Sequence, residues 1–327
     1  MKIGLDGGPV GGLLEIRDQL LKLLDLAADG GFEGVQFSIR SVQDDPGLRQ
    51  KVIEKASEKD LFIELGGAGI DKALLNKSAD ELVEAWKPLF PMAVELGSHV
   101  LQTGLGTWPW QGRLIREKGR RLEDQIAGGI EVLRTIGQMA EDHQVSVAIH
   151  TAFMTSAEYI EIMERVDSPY VGLCLDTANS FLVLEDPLEF AEQVAPYVRT
   201  THFKDSAIYL QGEGIHWFGG CLLGSGTVDL AQIADALYRA NSQINLSVED
   251  HWSHSTRPMI SAEYLDSLGE WQGERLARIL DHLWRGSQLA LPASEVVRES
   301  FVERQNENAV YAKQLRDSLI SKHEREG

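Results

Sequence analysis

The sequence contains little cysteine and no long apolar run, and both shortages exclude classes of protein. Only Cys174 and Cys221 occur among the 327 residues, and they form no Cys-x-x-Cys pair. A disulfide framework is therefore excluded, which is typical of a protein from a reducing compartment. No stretch approaches the roughly 20 apolar residues of a membrane-spanning helix, and the N-terminus lacks the apolar run of a signal peptide. We predict a cytoplasmic protein without a membrane partner.

Basic residues are also scarce in this sequence. There are 31 Lys and Arg residues against 50 Asp and Glu residues, and the formal net charge is −19. Such a field repels phosphate backbones, so we predict that the protein has no nucleic-acid partner. The remaining composition, 43% hydrophobic and 25% charged residues, is ordinary for a globular protein and excludes a disordered chain.

Short β-like runs alternate with amphipathic helical runs along most of the chain. This alternation is typical of a parallel sheet with helical crossovers, and eight units are the number that closes a (β/α)₈ TIM barrel. A doubly wound open sheet is disfavoured because no Gly-x-Gly-x-x-Gly follows the first strand. We therefore predict an α/β protein with a TIM barrel over residues 1–290. The predicted strands are 2–6, 34–38, 61–65, 99–103, 146–150, 171–176, 198–204 and 244–249, and the clearest helices are 18–28, 78–96, 121–141, 156–166, 187–197 and 230–241.

The last part of the chain, residues 291–327, follows the eighth strand–helix unit and predicts a C-terminal helical extension. Its pattern is that of a charged amphipathic helix, which we expect to pack on the barrel or on a second copy of the chain. The predicted protein is accordingly a homo-oligomer. The apolar side of the helix would consist of Val296, Val297, Phe301, Val310, Tyr311 and Leu315.

Polar residues alternate with apolar ones along the predicted strands, and an ionisable residue comes last on the polar face of several strands. In the sixth strand, for example, Val171, Leu173 and Leu175 lie on one face, and Asp176 ends the other. Active sites of TIM barrels form at the carboxyl ends of the strands, so the terminal polar residues should converge on one mouth.

Four of these terminal residues, His150, Asp176, His202 and Glu249, come from strands five to eight. Two imidazoles and two carboxylates on a rigid frame predict a site for one divalent metal ion: Mn, Zn, Mg or Co, with Mn or Zn favoured. The alternative is that each side chain is a barrel-end residue whose hydrogen bonds are satisfied by neighbours or water.

Further side chains near the mouth could bind a sugar-like ligand. Lys204 shares the inner face with His202 and could offset negative charge on a substrate, or could simply form an ion pair with Asp176 or Glu249. Aromatic faces stack on the C–H faces of sugars, but loop tryptophans also plug barrel mouths. The candidates are Trp108, Trp217 and Trp252 in loops and Glu64, Gln102, Gln36 and Asp6 on strands, for which structural hydrogen bonds are the alternative.

The stretches VAIHT, VGLCLDTANSF, THFKDS, GSGTVDL and LSVED resemble the motif series of the xylose isomerase-like TIM-barrel superfamily, over roughly residues 1 to 285. That superfamily groups sugar isomerases and epimerases with family 2 apurinic endonucleases. The resemblance implies that Asp176, His202 and Glu249 are metal ligands. His150 stands where a fourth ligand, a Glu that pairs with the strand-eight Glu as acid and base in ketose 3-epimerase-like members, is usual. Asn179, which we predict to bind substrate, stands three residues after the ligand Asp, where a His is often found.

The resemblance leads us to predict a metal-dependent isomerase or epimerase of a sugar or keto-sugar derivative, acting through an enediolate. Glu249, His150 and Lys204 would be its catalytic residues. The alternative is a metal-dependent lyase or decarboxylase of an oxidised (3-keto) sugar, glycoside or sugar acid, because His150 replaces a carboxylate. That branch would also allow a small partner subunit. A third hypothesis is a barrel that binds metal or sugar without turnover.

Overall fold

Eight parallel strands form the centre of the protein in the computed structural model, which describes residues 1–8, 19–106, 112–212, 214–250, 254–257 and 261–326. They pair in the order β10-β1-β2-β3-β4-β5-β6-β7, and a parallel bridge between Phe203 and Val248 joins the two ends. This confirms the predicted (β/α)₈ barrel. The strands, in chain order and including three outside the barrel, are β1 (Ile3–Asp6), β2 (Gly34–Ser38), β3 (Phe62–Gly66), β4 (Val100–Thr103), β5 (Ser146–His150), β6 (Val171–Asp176), β7 (Val198–His202), β8 (Asp205–Gln211), β9 (Gly214–Cys221), β10 (Leu246–Val248) and β11 (His254–Arg257).

Helices separate the strands and surround the barrel. The single helix predicted over residues 78–96 is wrong: it is two helices, because Pro88 has no N–H to continue the hydrogen-bond ladder. The helices are α1 (Leu20–Asp29), α2 (Pro46–Glu58), α3 (Lys72–Leu75), α4 (Ala79–Trp86), α5 (Leu89–Glu95), α6 (Leu122–His143), α7 (Ser156–Val166), α8 (Pro187–Val194), α9 (Leu230–Ala240), α10 (Ala262–Ser267), α11 (Gly273–Ser287), α12 (Ser294–Glu299) and α13 (Phe301–Glu326).

A second, antiparallel sheet of three strands lies outside the barrel and was not predicted from the sequence. Its order is β11-β9-β8, and β8 begins at Asp205, three residues after the end of β7. Trp217, predicted in a loop, belongs to β9 and is buried. The second sheet therefore places an aromatic side chain next to the carboxyl end of β7.

The C-terminal helix α13 packs on the barrel itself, against β1, β10 and α9. Val297 of α12 and Phe301 are buried as predicted, whereas Val296 and Val310, predicted on the same apolar side, are exposed. The middle of the helix is held by an ion pair of 2.6 Å between Arg316 Nη1 and Glu33 Oε2. The division of the chain at residue 290 stays a prediction, but α13 contributes to the layer of helices around the strands. In the part of the chain that the structure describes, no helix is long and apolar enough to cross a membrane.

Candidate metal centre

Two overlapping groups of potential metal ligands lie at the carboxyl end of the barrel. His150, Asp176 and His202 form one group, and Asp6, His202 and Glu249 form the other, with the ligand atoms of each group within 4.8 Å of one another. All four predicted ligands are thus brought to one mouth, with His202 common to both groups. Asp6 joins them, although the sequence suggested only a role in sugar binding for it.

Strand pairing explains why these side chains meet. His150, Asp176 and His202 are the last residues of β5, β6 and β7, and Asp176 is the register partner of His202. Glu249 follows β10, and its backbone N–H donates to the carbonyl of Phe203 at 3.1 Å, so the eighth strand ends beside the seventh. The carboxyl ends of neighbouring parallel strands therefore carry the site, as in other TIM barrels.

Asp176 is held in one orientation by backbone donors. Its Oδ1 accepts hydrogen bonds from the N–H groups of Ala178 (3.0 Å) and Asn179 (2.9 Å), which turns Oδ2 toward His150 Nε2 at 3.2 Å. Burial acts to raise the pKa of Asp176, but the Lys204 ammonium and His150 outweigh it and hold the pKa below its usual value. Asp176 is therefore a carboxylate at neutral pH, as a metal ligand must be.

Lys204 lies between two of the predicted ligands. Its Nζ is 2.7 Å from Asp176 Oδ2 and 2.8 Å from Glu249 Oε2, and the side chain is 2% exposed. Burial acts to lower the pKa of Lys204, but the two carboxylates raise it above its ordinary value, so the amine stays protonated. The same Nζ is 5.2 Å from the ring centre of Trp217. Of the two hypotheses for Lys204, the ion pair is present in the structure.

His202 has one ring nitrogen available as a ligand atom. Its Nε2 is 3.0 Å from Gln102 Oε1, and because an amide oxygen only accepts, Nε2 carries the hydrogen. Nδ1 then has a lone pair, is buried, has no hydrogen-bond partner among the described residues and lies 3.7 Å from Glu249 Oε2. A histidine that ligates a metal with one nitrogen and donates from the other has this arrangement, so the residues present fit a divalent ion.

His150 is less buried than the other ligands, with its side chain 26% exposed at the mouth. Its ring centre lies 4.6 Å from that of His202. Burial lowers the pKa of His150, although Asp176 partly opposes the shift, and the ring is therefore neutral at physiological pH. A neutral imidazole can act as a ligand or as a base, and both roles proposed from the sequence remain predictions.

The net charge of the side chains at the mouth is suited to a divalent cation. With neutral imidazoles, the carboxylates of Asp6, Asp176 and Glu249 and the ammonium of Lys204 sum to −2. A divalent ion would bring this sum to zero. A Glu in place of His150 would leave it at −1, so the imidazole makes the loaded centre less repulsive to an anionic substrate.

The other residues that the sequence suggested for substrate binding lie at different positions along the barrel axis. Glu64 is in the barrel interior, where its carboxylate accepts hydrogen bonds from four side chains, which favours the structural alternative. Gln102 contacts His202, and its Nε2 has no partner among the described residues. Asn179 is buried beside Asp176. Trp108 and Trp252 lie outside the described residues, and their roles stay predictions.

One contact next to the site was missed by sequence reasoning. Asp250, directly after Glu249, forms a buried ion pair with Arg304 of α13. Asp250 could be placed near the mouth from its position in the chain, but it is separated from Arg304 by 54 positions, and no signal in the sequence joins the two residues.

Comparison with known proteins agrees with this architecture. The sequence is 32% identical to the 3-oxo-isoapionate decarboxylase of Pectobacterium atrosepticum over 128 residues, 38% of this chain and 45% of the relative. It is 24% identical to the inosose dehydratase of Bacillus thuringiensis over 165 residues, 48% of this chain and 55% of the relative. The chain thus spans about half the length of the curated relatives it matches.

A solved structure extends the likeness of the fold over nearly the whole chain. The D-psicose 3-epimerase with D-tagatose from Clostridium cellulolyticum superposes with a TM-score of 0.65 and 13% identity, covering 96% of this chain and 98% of that chain. The family described as xylose isomerase-like TIM barrel matches residues 24–271, a range that includes His150, Asp176, His202 and Glu249. Since this is more than half of the sequence, the chain belongs to the xylose isomerase-like TIM barrel family.

Proposed function

We propose that the protein is a metal-dependent lyase that decarboxylates a small oxidised sugar acid, with the keto group β to the carboxylate. The observation that carries the proposal is that an imidazole, His150, and not a second carboxylate, ends β5 at the mouth. An epimerase needs an acid and a base on opposite faces of the substrate carbon. A decarboxylase needs stabilisation of the anion left by bond cleavage, and one proton donor.

The charge of the site supports an acidic substrate. Because the loaded centre sums to zero, a substrate carboxylate meets no net repulsion there, despite the −19 charge of the whole chain. The names of the two curated relatives agree with this choice, since one is a decarboxylase of a 3-oxo acid and the other a dehydratase. Decarboxylation of a β-keto acid and loss of water next to a carbonyl group can both pass through a carbanion that the carbonyl group stabilises.

The predicted metal ligands and their neighbours have separate roles in this reaction. The ion would be held by four side chains: Asp176, His202 through Nδ1, Glu249 and His150. Gln102 keeps His202 in the tautomer that leaves the lone pair on Nδ1. When bound, a divalent ion would supply a Lewis acid that stabilises the charge of an enediolate.

The protonation step can be assigned to named atoms. Cleavage of the C–C bond releases CO₂ and leaves the electron pair on the substrate, which then needs one proton. The Lys204 ammonium, held 2.8 Å from the Glu249 carboxylate, can supply it, and solvent reprotonates the amine once the product has left. The buried ring of Trp217 beside Lys204 helps to keep water from this pair.

Epimerisation or isomerisation, which the sequence resemblance puts first, is the second candidate. One observation favours it: the His150 side chain is partly exposed at the mouth and could serve as the second acid or base if it is not a ligand. The two candidates differ in the fate of the carbon skeleton and in whether solvent hydrogen enters recovered substrate.

The test is incubation of 3-keto sugar acids and neutral keto-sugars with the Mn²⁺-loaded protein in deuterated water, followed by NMR and CO₂ detection. We expect CO₂ release, one deuterium in the product and none in recovered substrate. Exchange with inversion and no cleavage would replace decarboxylation by epimerisation, and no turnover of any substrate by a metal-loaded protein would support a binding barrel.

A variant of His150 sharpens this test. We expect His150→Glu to retain metal, to slow decarboxylation and to gain exchange at the carbon next to the carbonyl group, because it restores a second carboxylate. His143→Glu is a matched control, since His143 is exposed at the end of α6, away from the mouth. Faster decarboxylation by His150→Glu would contradict the role assigned to the imidazole.

A further inference from the structure

Asp250 joins the C-terminal helix to the mouth of the barrel, because it accepts hydrogen bonds from three side chains of that helix. Arg304 donates to both carboxylate oxygens, with Nε 2.9 Å from Oδ2 and Nη2 2.8 Å from Oδ1. Gln305 Nε2 and Asn308 Nδ2 also donate to Oδ2, at 3.2 and 3.3 Å. Asp250, Arg304, Gln305 and Asn308 are all at most 7% exposed.

This cluster is adjacent to the metal centre through the backbone. Asp250 follows Glu249, and successive side chains of an extended segment point in opposite directions. Glu249 therefore faces the mouth while Asp250 faces α13, and any rotation of the peptide between them would move both. Arg304 also donates from Nη2 to the carbonyl of Gly220 at 2.7 Å, which ties the same point to the end of β9.

The same helix holds a second segment that leads to the mouth. Asn308 Oδ1 accepts a hydrogen bond from the backbone N–H of Leu223 at 2.9 Å. The loop that follows is bound by Asp205, whose Oδ2 accepts from Gly224 N at 3.0 Å and Gly226 N at 2.8 Å. Asp205 is the neighbour of Lys204 in sequence. One face of α13 thus contacts the segment that carries Glu249 directly, and it is connected to the segment that carries Lys204 through the loop bound by Asp205.

We propose that Arg304 is a positioning residue for the metal centre: through Asp250 it fixes the direction of the Glu249 carboxylate relative to His202 and Lys204. The C-terminal helix is then part of the functional site and not only a cover for the barrel. A bidentate guanidinium–carboxylate pair defines direction as well as distance, which a lysine ammonium cannot do. The inference rests on the metal-binding part of the proposed function and does not depend on the identity of the substrate.

The experiment compares Mn²⁺ binding by the full-length wild type, Arg304→Lys and the control Arg316→Gln, using calorimetric titration. Arg316→Gln breaks the Arg316–Glu33 ion pair of the same helix, far from the mouth. We expect Arg304→Lys to weaken Mn²⁺ affinity by about 10- to 100-fold, the usual effect of losing a partner behind a ligand, and Arg316→Gln to leave it unchanged. The visible spectrum of the Co²⁺-loaded protein should change in Arg304→Lys only, because the ligand geometry changes.

Wild-type affinity and an unchanged Co²⁺ spectrum in Arg304→Lys would overturn the proposal, as would equal losses in both variants. If Arg304→Lys does not fold, Asp250→Asn carries the same test, since it keeps the side-chain shape and removes one acceptor from Arg304. A wild type that binds Mn²⁺ but releases no CO₂ would refute the proposed decarboxylase and leave the positioning role standing. The two failures are therefore distinguishable.

Discussion

Replacement of Glu64 by Gln separates a structural role of this residue from a role in substrate binding. Oε2 of Glu64 accepts from Gln36 Nε2 and Thr200 Oγ1, both at 2.6 Å, and from Ser247 Oγ at 3.2 Å. Oε1 accepts from Asn245 Nδ2 at 2.9 Å. The Gln36, Thr200 and Ser247 side chains are at most 2% exposed, so water cannot replace a lost partner.

The loss of stability in Glu64→Gln depends on which carboxylate oxygen is replaced by the amide nitrogen. If the new NH₂ group takes the position of Oε2, it faces three hydrogen-bond donors. If it takes the position of Oε1, it faces only one donor, the amide of Asn245. This orientation loses the hydrogen bond to the half-buried Asn245 and leaves the other three donors with a neutral amide oxygen in place of a carboxylate, which together costs about 2 kcal/mol. For a chain of this length, with roughly 2.1 cal/mol/K of unfolding entropy per residue, the melting temperature should fall on the order of 3 °C.

Differential scanning calorimetry and Mn²⁺ titration of Glu64→Gln measure the two roles independently. We expect a lower melting temperature with unchanged Mn²⁺ affinity and unchanged substrate KM, because Glu64 contacts the barrel interior and not the predicted ligands. A melting temperature equal to that of the wild type, together with a raised KM, would refute the structural interpretation and return Glu64 to the binding site.

Other perturbations test the metal centre and the stability of the fold. Asp176→Ala and His202→Ala should each lose bound divalent metal while circular dichroism shows a folded barrel, and full metal content by elemental analysis would exclude these ligands. Mn²⁺ at 100 times its dissociation constant should stabilise the wild type by about 2.7 kcal/mol, or roughly 4 °C in calorimetry, and a chelator should reverse the rise. Burial acts to raise the pKa of Asp186, but the hydrogen bond from His282 holds it below its usual value. The stability from this pair is thus present above about pH 4 and lost as the pH falls further. Asp186→Asn should therefore be less stable than the wild type at pH 7 and should approach it in acid urea melts. A constant difference across that range would refute the assignment. Deletion of residues 292–327 should lower the melting temperature because Phe301 and its neighbours leave the barrel, and an unchanged melting temperature would contradict this packing.

The barrel could be predicted because each strand carries its own signal. Eight short β-like runs, each followed by a helical run and several with alternating apolar and polar residues, can be identified without knowledge of distant contacts. His150, Asp176 and His202 could be predicted for the same reason, since each is the last inward residue of its strand. The predictions that failed concerned residues whose position along the barrel axis depends on a neighbouring strand.

Glu64 shows how depth was misjudged. β3 runs one residue beyond the predicted end, to Gly66, so Gly66 and not Glu64 is the last inward residue. The strands of a barrel are also staggered, and Glu64 meets Thr200 and Ser247, each two residues before a predicted ligand. Stagger is a property of the closed ring, which no single strand encodes.

The second sheet and the Asp250–Arg304 pair were missed for related reasons. β8 and β9 contain few alternating apolar residues, and Trp217 could be interpreted as a loop residue until the pairing of the two strands was known. Arg304 is one of several charges on an apparently ordinary surface helix, and only its burial at 7% distinguishes it from them. Burial of a charge on a tail helix depends on where the helix packs, and packing is decided by the whole barrel.

His150 links the electrostatics of the site to the reaction proposed for it. A carboxylate at this position would give the loaded centre a net charge of −1 and an additional proton acceptor, which together suit removal and return of a proton on a neutral sugar. An imidazole that is kept neutral by burial would supply a ligand without the charge. On the proposed function, the centre would then tolerate a substrate carboxylate, and the single pair of Glu249 and Lys204 would suffice to protonate the carbon from which CO₂ leaves. One exchange of residue type on β5 thus shifts the substrate class and the proton requirement in the same direction, which is why both are tested by one variant, His150→Glu.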